Sequence, residues 1–172
     1  MSCFISFLRT LNGIKALIEY DKEVTKVAKE GYHGNTQYIK FSYDSSLKLK
    51  CTMVPVVPHV KGNWHTCRWT ERIGDKIKRE CSTEYLVNST YNSGEKHVTC
   101  ESGPNNTNII TVDKEGNDTC ILEISPANHL YLGVDWVDWT CTFHECEQED
   151  CFSSNGCTAQ TKIDVFVSSC KI

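Results

Sequence analysis

From Gln37 onward apolar and polar positions alternate with a period of two. In "LKLKC" (47–51) Leu47, Leu49 and Cys51 share one face. In "NWHTCRWT" (63–70) Cys67 and Trp69 fall on one face and Trp64 on the other. "TCILEIS" (119–125) aligns Cys120, Leu122 and Ile124, "VDWTCTF" (137–143) aligns Val137, Trp139, Cys141 and Phe143, and "KIDVFV" (162–167) aligns Ile163, Val165 and Val167. "YIKFSY" (38–43) carries apolar or aromatic residues on both faces. Successive side chains of a strand point to opposite sides, so this alternation predicts half-buried strands. Turn formers such as "SGPNN", "KEGND" and "SSNG" separate them. The pattern predicts an all-β domain, a sandwich or a barrel.

Residues 1–35 read differently. Phe4, Leu8, Leu11, Ile14 and Ile18 recur at helical spacing. The opening apolar run ends at Arg9 and has no basic residue before it, unlike a secretory h-region of about 7–15 apolar residues. The expectation is a leader or appendage over 1–35, an atypical signal or a helix, ahead of one domain over 36–172. "EGYHGNT" (30–36) reads as the break between them. No run approaches the roughly 20 apolar residues of a membrane span. The chain ends just after Cys170, too soon for a lipid-anchor tail, so a soluble product is expected.

Cysteine content changes the picture most. There are 11: Cys3, Cys51, Cys67, Cys81, Cys100, Cys120, Cys141, Cys146, Cys151, Cys157 and Cys170. Cytosolic chains rarely carry so many outside metal sites, because their compartment is reducing. Three N-glycosylation sequons, at Asn88, Asn105 and Asn117, point the same way. The expected product is a secreted, disulfide-bonded glycoprotein. A net charge of -4 argues against nucleic acid as partner, since phosphate neutralisation needs clustered Lys and Arg. The one basic stretch, Arg68 to Arg79, is interleaved with Glu71 and Asp75 and flanked by Glu80. It reads as a solvated hairpin surface.

Cys51, Cys67, Cys120 and Cys141 each take a core-facing position beside large apolar neighbours. That suits two disulfides between facing sheets, which must approach locally because a bridge needs its Cα atoms within about 7 Å. With this order of residues the chain resembles the immunoglobulin fold, which has a strand-B Cys, a strand-C Trp, "L-x-I" on strand E and "D-x-G-x-Y-x-C" on strand F. Cys51 stands at the strand-B position, Trp69 (or Trp64) at strand C, and Leu122-Glu-Ile124 at strand E. "DWVDWTC" (135–141) stands at strand F, with Val137 for the usual Gly and Trp139 for the usual Tyr of the tyrosine corner. The resemblance implies a two-sheet antiparallel sandwich with a Cys51–Cys141 bridge and with Trp69, Trp139, Leu122 and Ile124 in its core. It also implies an ion pair from Asp135 to Arg72 or Arg79.

A narrower likeness is to secreted arthropod immunoglobulin-like domains. Cys67-Arg-Trp69 and "DTCILEI" (118–124) carry it, and it implies a Cys67–Cys120 bridge. The excess length between Cys51 and Cys141 falls over 74–118 and is expected to be an expanded C–E region closed by Cys81–Cys100. Setting Cys3 aside, Cys146, Cys151, Cys157 and Cys170 then pair among themselves around the loop joining strands F and G. Cys146–Cys157 with Cys151–Cys170 is one of three arrangements.

Rival chemistry is poorly supported. Asp135 and Asp138 are three apart and face opposite ways on a strand, so they cannot share a substrate. His144, Cys146, Cys151 and Cys157 lack the close pairs of a zinc site, and "ECEQED" (145–150) reads as a solvated acidic loop before it reads as a calcium site. His65 beside Cys67, and His144 beside Cys146, bring imidazole near sulfur without an oxyanion-hole or nucleophile-turn signature. No enzyme, metal or cofactor is expected. Trp64 and Trp136 lie opposite the core residues of neighbouring strands and are the expected binding surface, since Trp is a favoured interface anchor. The functional expectation is an extracellular recognition, adhesion or immune-type protein whose partner is a protein or glycan. The alternative is a cysteine-rich effector or protease inhibitor acting through the 144–157 loop.

Overall fold

The computed structural model describes residues 15–54, 62–87, 96–102, 110–116, 118–125, 136–146 and 157–168, by backbone alone at 96–102, 146 and 157. In chain order the strands are β1 (Lys15–Tyr20), β2 (Val27–His33), β3 (Thr36–Ser42), β4 (Leu47–Val54), β5 (Trp64–Ile73) and β6 (Lys76–Leu86). There follow β7 (Lys96–Ser102), β8 (Ile110–Glu115), β9 (Thr119–Ile124), β10 (Val137–Cys146) and β11 (Cys157–Ser168). They form a four-stranded sheet, β1-β4-β9-β8, and a seven-stranded sheet, β2-β3-β11-β10-β5-β6-β7. The first matches the A-B-E-D order of an immunoglobulin sandwich. From β11 to β7 the second matches G-F-C-C′-C″ of the variable type. The fold is therefore an all-β, immunoglobulin-like two-sheet sandwich.

Three expectations change. First, residues 15–35 are not an appendage. β1 pairs along its length with β4, and Ala16 and Ile18 enter the core. Of the residues read at helical spacing, Ile18 alone is described, and it stands on a strand, because a spacing of four also returns to one face of a strand. Phe4, Leu8, Leu11 and Ile14 lie outside the described residues. "EGYHGNT" is no domain boundary: it is the end of β2, a tight turn at Gly34–Asn35 and the start of β3. Second, the sandwich is not wholly antiparallel, because β3 runs parallel to β11. The chain leaves the four-stranded sheet after β1 and crosses to the other. Asp21 supports that crossing by accepting from the backbone N–H groups of Glu23 and Val24, a side-chain turn typical of Asp. Those two bonds, with Lys48 nearby, hold its carboxyl below the usual range.

The third change concerns the hairpin over Arg68–Arg79. It exists, turning at Gly74 with φ 62°, but it is not wholly a solvated surface. Glu71 and Arg79 are register partners on the inward parity of β5 and β6, fully buried, with Arg79 Nε 3.0 Å from Glu71 Oε1. Arg72, on the outward parity, donates to Thr140 Oγ1 at 3.2 Å. Asp135, the expected acidic partner of one of these arginines, lies outside the described residues.

The core follows the alternation. Leu47, Leu49, Cys51 and Met53 of β4 and Cys120, Leu122 and Ile124 of β9 meet Cys67 and Trp69 of β5. Val137, Trp139, Cys141 and Phe143 of β10 and Ile163 and Val165 of β11 join them, together with Ala16 and Ile18 of β1, Ile39 and Phe41 of β3, Cys81 of β6, and Ile110 and Val112 of β8. Trp69, not Trp64, is the strand-C core tryptophan. It meets Trp139 edge-to-face at 6.5 Å between ring centroids, a favourable arrangement for aromatic pairs. The bridges Cys51–Cys141 and Cys67–Cys120 are both formed, with Cα separations of 6.5 and 6.3 Å. Cys81 is also disulfide-bonded, and Cys100 is its backbone register partner on β7. Cys146 closes β10 and Cys157 opens β11, so the 144–157 segment begins as strand rather than loop. Cys3, Cys151, Cys170, the sequon residues Asn88, Asn105 and Asn117, and residues 147–156 lie outside the described residues.

Candidate recognition face

Strand parity turns one side of the seven-stranded sheet away from the core. Across five strands the register lines up Gly31, Tyr38, Asp164, Asp138 and Arg72 as one transverse row on that side. The next row holds Lys162, Thr140, Thr70 and Glu80. Between antiparallel neighbours, which is every step of these rows except β3 to β11, outward residues stand directly opposite with side chains within about 5 Å.

The aromatic part of the face lies on β2, β3 and β11. His33 stacks on Tyr38 at 4.2 Å with an interplanar angle of 18°. Phe166 meets Tyr38 edge-on at 6.1 Å and His33 at 6.4 Å. Glycine at 31 makes room for this: a Cβ there would stand 3.0 Å from the Tyr38 ring. Trp136, 39% exposed, immediately precedes Val137, whose register partner is Val165. It therefore joins the chain at the level of Phe166, at this aromatic end.

Beside the rings lies a polar network. Lys162 Nζ is 3.3 Å from Asp138 Oδ2, Thr140 Oγ1 donates to Asp138 Oδ1 at 3.2 Å, and Arg72 reaches Thr140 in turn. Asp164 faces Asp138 across the β10–β11 ladder. Burial, then the like charge of Asp138, raises its pKa, and Lys162 and His33 pull the other way. Further along the same face, burial and the charge of Arg68 lower the pKa of His144.

That last shift has a checkable sign. With a folded pKa below the unfolded 6.5, the unfolded chain binds protons more readily between those values. Stability therefore rises with pH across that window and falls on acidification through it. A urea midpoint followed downward from about pH 7.5 is expected to drop, and His144→Gln is expected to flatten that part of the profile.

The two expected anchors are not brought together. Trp64 begins β5, opposite Cys146, whereas Trp136 precedes β10 beyond the Asp138–Arg72 pair. They stand at opposite ends of the β5–β10 ladder. Trp136 belongs instead with His33, Tyr38 and Phe166, none of which the alternation singled out. Their signals were the two-faced "YIKFSY" and a Phe between two core valines.

At the other end, between the sheets, Tyr85 and His65 share a 2.7 Å hydrogen bond, and Lys114 lies 4.3 Å above the Tyr85 ring. Asn63 donates to buried Glu145. Desolvation, with Asp118 and Glu145 adding, holds the Tyr85 hydroxyl well above its usual pKa. Cys67, beside His65, is bonded to Cys120 and offers no thiolate there. Among the described residues no group of three metal-ligating side chains gathers.

No protein-family model matches this chain, and no curated protein matches it either. Among the described residues no helix is long and apolar enough to cross a membrane. Structural disulfides such as these are characteristic of an oxidising environment.

Proposed function

We propose that the protein is a secreted, non-enzymatic recognition module that holds an extracellular protein or glycan on the outward face of its seven-stranded sheet. The observation that carries this reading is the His33–Tyr38–Phe166 cluster, three rings in mutual contact on the side of the sheet away from the core. Rings fixed in place lose little entropy on docking, which is why aromatic anchors dominate interface energetics. The adjoining Lys162, half exposed and anchored by buried Asp138, and Asp164 supply polar groups to orient a ligand.

The test is a panel of extracellular proteins and glycans probed with wild type and with Tyr38→Ala, Phe166→Ala and Trp136→Ala. A partner using this face is expected to bind each variant at least about tenfold more weakly, the equivalent of about 1.4 kcal/mol. Melting curves establish that each variant is folded. Full-strength binding by three folded variants removes the face from consideration.

A further inference from the structure

Two inter-sheet disulfides lie side by side at the centre of the core. Cys51 and Cys120 are direct register partners on β4 and β9. Their bonded partners, Cys141 and Cys67, occupy neighbouring strands β10 and β5, two positions out of register, because Cys141 opposes Trp69 and Cys67 opposes Phe143. The Sγ atoms of Cys67 and Cys141, which are not bonded to each other, are 3.9 Å apart. The two bridges are therefore separated by a single non-bonded sulfur–sulfur approach, and exchange across it leads from the observed pairing to a second one. The observed one joins sheet to sheet twice. The other, Cys51–Cys120 with Cys67–Cys141, joins strands within each sheet and leaves none of these four cysteines linking the sheets.

We infer that these four cysteines form a disulfide-exchange centre able to pass between a latched sandwich and an unlatched one. The co-reactant is a thiol, used catalytically. Its thiolate attacks Cys51 Sγ, the Cys51–Cys141 bond breaks, and Cys141 leaves as thiolate. Cys141 then attacks the adjacent Cys67 Sγ, forming Cys67–Cys141 and releasing Cys120 as thiolate. Cys120 attacks Cys51 across the β4–β9 pair, forming Cys51–Cys120 and returning the thiolate. Two disulfides enter and two remain, with no net oxidation. Such exchange proceeds by thiolate attack through a mixed disulfide.

Loop entropy does not forbid the change. The observed bridges close separations of 90 and 53 residues, and Cys67–Cys141 would close 74. Closure entropy varies only with the logarithm of loop length. Access is the gate, because all four cysteines are fully buried. An external thiol reaches them only when the sheets part, so exchange is coupled to opening of the sandwich.

The experiment incubates the folded wild-type protein in a glutathione thiol–disulfide buffer to equilibrium, traps thiols by alkylation, and maps linked peptides without reduction. Newly linked Cys51–Cys120 and Cys67–Cys141 peptides, with matching loss of the original pair, are the expected result. Persistence of the original linkages alone overturns the inference. The double variant Cys51→Ala with Cys120→Ala gives a second reading. If it folds, Cys67 and Cys141 are expected to bond to each other under air oxidation, and a folded variant with both thiols still titratable overturns the inference equally. If it fails to fold, the wild-type map decides.

Discussion

Replacing Glu71 with alanine is expected to destabilise the domain by about 3–5 kcal/mol, the usual cost of leaving one member of a buried ion pair alone. At roughly 2–4 °C per kcal/mol for a domain of this size, the melting midpoint falls by about 10 °C. The physical reason lies in the site: Arg79 is buried beside Glu71 with its Nε 3.0 Å from the carboxylate. Truncating the acid strands a guanidinium that cannot shed its proton. The pair itself is a weaker contributor than that loss suggests, because removing two charges from water offsets much of their attraction. Glu71→Leu combined with Arg79→Met is therefore expected to recover most of the stability, and a double-mutant cycle by urea denaturation separates the two quantities. A Glu71→Ala protein melting within a degree or two of wild type would show that the pair is hydrated.

The pair also marks what alternation did and did not make legible. Glu71 stands two residues after Trp69, and Arg79 two before Cys81, so both share the inward parity of core residues. Parity pointed inward, while residue type and the surrounding basic run pointed outward. Position within the strand prevailed because each charge found its partner directly across the ladder. The same rule placed Cys51, Cys67, Cys120 and Cys141 correctly, since a strand with one solvated face has no other way to arrange them. β2 was missed for the opposite reason. It is an edge strand, exposed along most of its length, and carries no apolar stripe to read.

Level along a strand was harder to read than face. Parity alone put Trp64 and Trp136 on one side of the sheet. Yet both stand at the N-terminal ends of neighbouring antiparallel strands, and such strands start at opposite ends. The aromatic cluster around Tyr38 depends on the parallel β3–β11 pairing. No local sequence signal announces that pairing, because it joins segments from the two ends of the domain.

Removing one central bridge is expected to be tolerated, and removing both is not. Substituting Cys51 and Cys141 together by alanine releases a 90-residue closure, for which chain entropy alone costs about 4.6 kcal/mol. Substituting Cys67 and Cys120 releases 53 residues at a similar cost, because the dependence on length is logarithmic. A domain with an ordinary margin of roughly 5–15 kcal/mol survives either loss with a lowered midpoint. Losing both approaches or exceeds the lower half of that margin, and the cavities left in a fully buried site add to it. The quadruple alanine variant is expected to lose its cooperative urea transition, whereas each paired variant keeps one. Substitution must be by pairs. A single Cys51→Ala change frees Cys141 within 3.9 Å of Cys67 Sγ, and a thiolate there attacks the surviving bridge instead of leaving it intact. Retention of a sharp transition by the quadruple variant would mean that the apolar core around Trp69 and Trp139 holds the sheets together unaided.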